Sequence, residues 1–210
     1  MVDMHVAAFV AMWAWMMAAM MGPSMAPFAR RYLRALPGAG PGVVRGGLFV
    51  GGYLVVWPGT SLIAYPLVLG LDAVAMRGDV TAGLVAALVL ATGAAYYLTP
   101  AKYRLLRACR SPFGLTLKYA GYRGRLRDLR AGVHHGATCL GCCWALMALL
   151  LVFGWMNVAA MVAIALVVAV EKLWRHGEAF AHAVGGATAV LAVAVLMRPD
   201  LATGLVPAPM

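Results

Sequence analysis

Acidic residues are scarce in this chain. Seven Asp and Glu stand against 17 Lys and Arg in 210 residues, for a net charge of +10. Charged residues of either sign make up only 11%, about half the fraction of an ordinary soluble domain. That scarcity excludes a soluble single-core fold as the natural home for this composition. No glycine-rich phosphate loop and no internal repeat is present. Cysteine is limited to Cys109, Cys139, Cys142 and Cys143. They do not sit in a small secreted domain, which argues against a disulfide framework, and the adjacent pair Cys142–Cys143 is poorly placed for a bridge of normal geometry. The N-terminus lacks the basic region of a signal peptide. Asp3 precedes the first apolar run and Arg30, Arg31 and Arg34 follow it, so the first span is expected to be retained with its start outside.

Apolar sequence is abundant. Hydrophobic residues account for 64% of the chain and the mean hydropathy is +0.86. A membrane-crossing helix needs about 20 apolar residues. Six segments qualify, at about 4–21, 46–71, 80–98, 137–155, 157–174 and 180–197. The second contains Pro58 and Pro66 and is read as one broken span, since a membrane helix accommodates proline with a kink. Pro23 and Pro27 are expected to end the first. The fold class is therefore an all-α polytopic bundle, one transmembrane domain over residues 1–210. The 99–133 loop, interrupted by Pro100, Pro112, Gly121 and Gly124, is expected to hold short interfacial helices.

The distribution of positive charge fixes an orientation. Fifteen of the 17 Lys and Arg fall on one set of loops, nine of them between Lys102 and Arg130, and only Arg77 and Arg198 on the other. Basic loops favour the cytoplasm, which puts both termini outside. The same clustering beside apolar spans points to the bilayer and anionic lipid headgroups as partners rather than to nucleic acid, for which no recognition module is present.

The chemistry concentrates in residues 134–147, His-His-Gly-Ala-Thr-Cys-Leu-Gly-Cys-Cys-Trp-Ala-Leu-Met, at the opening of the fourth span. His135, Cys139 and Cys142 are spaced i, i+4, i+7 and share one helix face, with Cys143 at its edge. An imidazole and two or three thiols make a soft or borderline metal site. The alternative is that the cysteines pack as small apolar residues and that His135 caps the helix. Gly136 and Gly141 would let another helix approach closely.

The first span carries Met12, Met16, Met17, Met20, Met21 and Met25. Most are core fillers, but Met20 and Met21 reach the inner end, where thioethers suit copper(I). Glu171 lies near the inner end of the fifth span. Its alternative role is a salt bridge to Lys172, Arg175 or a loop arginine. Glu178 and His182 share a face at the start of the sixth span, and His182 needs a partner there. Asp3, His5, Met156 and Asn157 form a weaker outer group better explained as a wet surface. Cys109 falls in the basic loop and is expected to stand apart from the site.

The run Met12-Trp-Ala-Trp-Met-Met-Ala-Ala-Met-Met-Gly-Pro-Ser-Met-Ala-Pro27 resembles the opening of the predicted metal-binding integral membrane proteins of bacteria, a family defined by a domain of unknown function. Tyr97-Leu98-Thr99-Pro100, Cys109-Arg110-Ser111-Pro112, His135 through Met147, Met156-Asn157 and Glu171-Lys172 carry the same resemblance. It implies His135, Cys139, Cys142, Cys143 and Glu171 as signature positions. The chain departs from the family in having Leu105 and its neighbours where many relatives place a further cysteine, and in lacking an extra N-terminal span.

These readings give an expected metal set of Met20, Met21, His135, Cys139, Cys142, Cys143, Glu171 and His182. The cargo is copper(I) first and zinc second, held or passed at the cytoplasmic face of a bacterial inner membrane. A metal donor or acceptor protein and a homo-oligomer are compatible partners. The rivals are a membrane redox enzyme using the metal or a thiol pair, a transporter with Pro58 at a broken helix, and a structural subunit.

Overall fold

The computed structural model describes residues 5–35, 41–154 and 157–201. Among them are eight α-helices and no strand: α1 (Val6–Ala35), α2 (Gly42–Ala75), α3 (Asp79–Tyr97), α4 (Pro100–Arg110), α5 (Pro112–Ala120), α6 (Arg127–Phe153), α7 (Val158–Leu173) and α8 (Gly177–Met197). A single 3-10 turn follows at Pro199–Leu201.

Five of these helices, α1, α2, α3, α6 and α8, are long and apolar enough to cross a membrane. The expected fifth span appears as α7, which is only 16 residues, about 24 Å at 1.5 Å per residue. Its ends are set locally. The Asn157 side chain caps the start by accepting from Ala160 N, and Trp174 turns extended at the finish. Apolar side chains face outward across the long helices. Leu62 is 73% exposed and Val190 71%, a surface that lipid suits and water does not.

Proline does not end α1. The helix runs through Pro23 and Pro27 for a further eight residues. Two proline nitrogens cannot donate to the carbonyls one turn back, but packing beyond them holds the helix. Phe28 and Tyr32 stack on Phe49 of α2 with ring centroids 6.1 and 4.8 Å apart, and Tyr32 meets Tyr119 of α5 edge-on at 5.8 Å. Tertiary burial of these four aromatics outweighs the lost bonds. In the same way α2 continues unbroken through Pro58 and Pro66, with the hydroxyls of Thr60 and Ser61 donating to the carbonyls of Trp57 and Pro58.

The long loop does fold into two short helices, and its proline motifs are their starts. Proline suits the first helical position because its missing N–H has no partner there anyway. Pro100 opens α4, with Thr99 Oγ1 accepting from Lys102 N at 3.4 Å. Pro112 opens α5, with Ser111 capping it through Gly114 N at 3.4 Å. α6 then begins at Arg127, ten residues before the apolar window, with Asp128 in its first turn as the helix dipole favours. Gly154, at φ +92°, ends the run in a conformation natural to glycine.

The chain divides into two compact units, residues 4–63 with 104–142, and residues 64–103 with 143 onward. The first is held at one end by a buried polar knot. Asp128 accepts from Tyr32 Oη at 2.7 Å and from Arg45 Nε at 3.2 Å. In the second, α3 packs along α8, where Gly185 leaves room for the Tyr97 ring.

Candidate metal centre

α2 and α6 come backbone to backbone in the first unit at three glycines, Gly52, Gly132 and Gly136. A Cβ on Gly132 would run into the Phe49 carbonyl, and one on Gly52 into the Leu129 carbonyl. A Cβ on Gly136 would lie 2.8 Å from Val56 Cγ2 and 3.0 Å from Tyr53 O. The close approach anticipated at Gly136 is thus real, and its neighbour is α2. Gly141 is likewise covered, by Leu105 of α4 at 2.8 Å.

That contact sets the two histidines of the motif on different walls. His135 is buried and its ring lies flat on Phe28, centroids 4.0 Å apart and 15° from parallel, with Phe49 and Tyr53 each at 5.9 Å. It is one wall of an aromatic enclosure and not a cap at the interface. His134, one residue earlier, turns to α5. Lys118 Nζ lies 2.7 Å from its Nε2 and Tyr119 Oη 3.1 Å from its Nδ1. An ammonium can only donate, so Nε2 accepts and Nδ1 carries the proton. Burial pushes the Tyr119 phenol up, which keeps it protonated.

Tyr53 ties the expected face together. Its ring borders His135, and its hydroxyl is 3.1 Å from Cys139 Sγ. One turn further, Cys142 Sγ lies 3.1 Å from the Cys139 carbonyl and 3.6 Å from Cys109 Sγ. Here the structure corrects the sequence reading. Cys109 does not stand apart: the long loop folds as α4 and brings its thiol against Cys142. Helical spacing could not show this, because the contact joins residues 33 apart. The signal available was the helix-start pattern around Pro100, which makes Cys109 the tenth residue of a helix rather than a loop residue.

Cys139, Cys142 and Cys143 are each 1% exposed, while Cys109 is half-buried. Met20 and Met21 are buried on α1 in the same unit as His135, Cys139 and Cys142. Cys143, Glu171 and His182 belong to the other unit. Glu171 has partners there that the sequence did not single out. Its carboxylate accepts from Lys102 Nζ at 2.7 Å and from Tyr97 Oη at 2.6 Å, and Lys102 Nζ sits 4.3 Å from the centre of the Tyr97 ring. His182 is exposed and stacks on Tyr103 at 4.3 Å, which supplies the partner it required. Among the described residues no three His, Cys, Asp or Glu side chains gather closely enough to hold one metal ion. Asp3 and Met156 of the outer group lie outside the described residues.

The fold and its thiols define a helical protein of membrane character in which one thiol of α4 and one of α6 meet. The chain belongs to the PpoB2 family of copper chaperones, whose model matches residues 10–195. No curated protein and no solved structure matches it.

Proposed function

We propose that this protein carries copper(I) as cargo at the inner face of a bacterial cytoplasmic membrane, held between Cys109 and Cys142, and passes it to an acceptor protein. The observation that carries this reading is the 3.6 Å separation of the two sulfurs in a chain of the copper chaperone family. At about 2.3 Å, the zinc–thiolate length, two thiolates at that spacing would subtend about 100°, so the sulfurs must move apart to give two-coordinate copper(I) its near-linear arrangement. Copper(I) is soft and accepts few ligands, so a thiol pair serves it. Structural zinc takes four, and the described residues offer no such group. Cys139, with its thiol against Tyr53, and His135, Met20 and Met21 are buried in the same unit and are further soft donors of the proposal, not ligands of the same ion. Glu171 and His182 stay outside it because of the partners described above, and Cys143 because, one residue on from Cys142, it is turned about 100° round α6. Cys109 is the half-exposed sulfur and therefore the point of entry and exit.

The test is copper(I) affinity measured anaerobically on purified, reduced protein by competition with a copper(I) chelator. Cys109→Ser and Cys142→Ser are each expected to weaken binding beyond the roughly 10–100-fold that loss of an outer partner alone costs. Cys143→Ser is expected to bind as the parent does. Wild-type affinity in both ligand variants, with the proteins folded, would leave the cysteines as packing residues.

The membrane arrangement is also part of the proposal: α7 crosses as a sixth, short span and both termini face out. The fifteen basic residues on one set of loops support it. A reporter inserted between Gly121 and Gly124 should read cytoplasmic and one fused after Leu201 periplasmic. A cytoplasmic signal from the second would remove the six-span arrangement.

A further inference from the structure

The thiols of Cys109 and Cys142 are in direct non-bonded contact, with Cys142 Sγ placed to donate to Cys109 Sγ. They come from different helices, α4 and α6, and approach to 3.6 Å. A disulfide is about 2.05 Å long, so side-chain rotation has about 1.5 Å to close. Cys142 and Cys143 are chain neighbours, an awkward geometry for a bridge. The thiol of Cys139 lies against Tyr53, and that of Cys142 also meets the Cys139 carbonyl. Exposure is asymmetric as well. Cys142 is 1% exposed while Cys109 is half-buried, so a soluble oxidant meets Cys109 first and Cys142 is placed behind it to complete the bond.

We propose that Cys109 and Cys142 form a two-electron pair that reduces copper(II) to copper(I) as the metal is taken up. This deepens the copper reading and rests on it for the identity of the cargo. The step balances as follows. Both S–H bonds break and two protons leave to solvent. Each sulfur gives up one electron, one S–S bond forms, and two copper(II) ions become two copper(I). The disulfide then withdraws these two sulfurs from the metal. Holding copper(I) and reducing copper(II) are therefore alternative uses of one pair. A low-molecular-weight thiol reopens it by exchange, two thiols becoming one disulfide as Cys109 and Cys142 regain their protons. The pair thus admits copper(II) only at the cost of its own binding site, and it retains copper only where reducing thiols are supplied, as on the cytoplasmic side of a membrane.

The experiment uses the full chain, purified in detergent, reduced and freed of reductant anaerobically. It is mixed with copper(II) chloride and a chelator that colours only with copper(I). The wild type should yield about two copper(I) per disulfide formed, as a two-electron couple requires. Digestion of the alkylated product should join the peptides containing Cys109 and Cys142. Cys109→Ser and Cys142→Ser should each lose this rapid reduction, and Cys143→Ser should keep it. The peptide map is read on the unmutated protein, so it decides the matter even if a variant folds badly. A disulfide between any other pair, or undiminished copper(I) yield from Cys109→Ser, overturns the proposal. The copper reading is separately exposed. Tight anaerobic binding of supplied copper(I) without copper(II) reduction removes only the redox pair. Reduction without such binding removes the cargo assignment.

Discussion

Replacing Lys102 by alanine is expected to destabilise the folded protein by about 3–5 kcal/mol, the usual cost of leaving one member of a buried ion pair uncompensated. Lys102 is wholly buried and Glu171 is 1% exposed. Their 2.7 Å contact is reinforced by the Tyr97 hydroxyl on the second carboxylate oxygen. Without the ammonium, the buried carboxylate loses the cation that balances its charge. Glu171→Ala should cost about as much, for the mirror-image reason. The double replacement Lys102→Met with Glu171→Leu should recover most of the loss, since a well-packed apolar pair of similar volume is often neutral relative to a buried ion pair. Unfolding in detergent, followed by circular dichroism, reads all three. A loss below about 1 kcal/mol in Lys102→Ala would mean that this pair is solvated and contributes little.

The second large effect is expected at Gly132. An added methyl would collide with the Phe49 carbonyl and come within 2.9 Å of Tyr53 N. Backbone cannot step aside as a flexible side chain can, so α2 and α6 must separate. Overpacking of this kind costs about 1–3 kcal/mol and occasionally more, and the rigidity of both helices puts Gly132→Ala at the upper end. Copper affinity should fall with it, because the same shift draws Tyr53 away from Cys139 and His135. Gly51→Ala is the matched control on the opposite helix. Nothing lies within 4 Å of its added carbon, and alanine gains up to about 1 kcal/mol over glycine in a helix. Thermal unfolding of the two variants side by side separates a close helix contact from a general intolerance of alanine. Equal stability in both would mean that the helices can spread at no cost.

Much of the fold was written in local patterns. Runs of apolar residues found every long helix, and short helices were expected inside the basic loop, where Pro100 and Pro112 prove to be helix starts rather than interruptions. The helix ends were less legible. α1 passes two prolines because Phe28 and Tyr32 find Phe49, a partner outside their own helix. α6 begins at Arg127 because a buried Asp128 is neutralised by Arg45 and Tyr32, 83 and 96 residues away. Neither cause has a local signature.

The site divides along the same line. Helical spacing put His135, Cys139 and Cys142 on one face, and Tyr53, which meets both His135 and Cys139, shows where that face points. Depth along the helices suggested that Glu171 and His182 gather with them. The partners the structure gives those two are Lys102, Tyr97 and Tyr103, contacts that depth alone does not reveal. Cys109 was missed for the converse reason. It is remote in sequence and near in space, and the basic residues around it suggested a surface loop.

X-ray absorption at the copper edge tests the central claim most directly, on full-length protein loaded with copper(I) under anaerobic conditions. The account predicts a first shell dominated by two sulfurs at a distance near the roughly 2.3 Å of a zinc–thiolate bond, reduced or lost in Cys109→Ser and Cys142→Ser and unchanged in Cys143→Ser. A shell of nitrogen and oxygen, or the same sulfur shell persisting after Cys109 and Cys142 are both replaced, would contradict it.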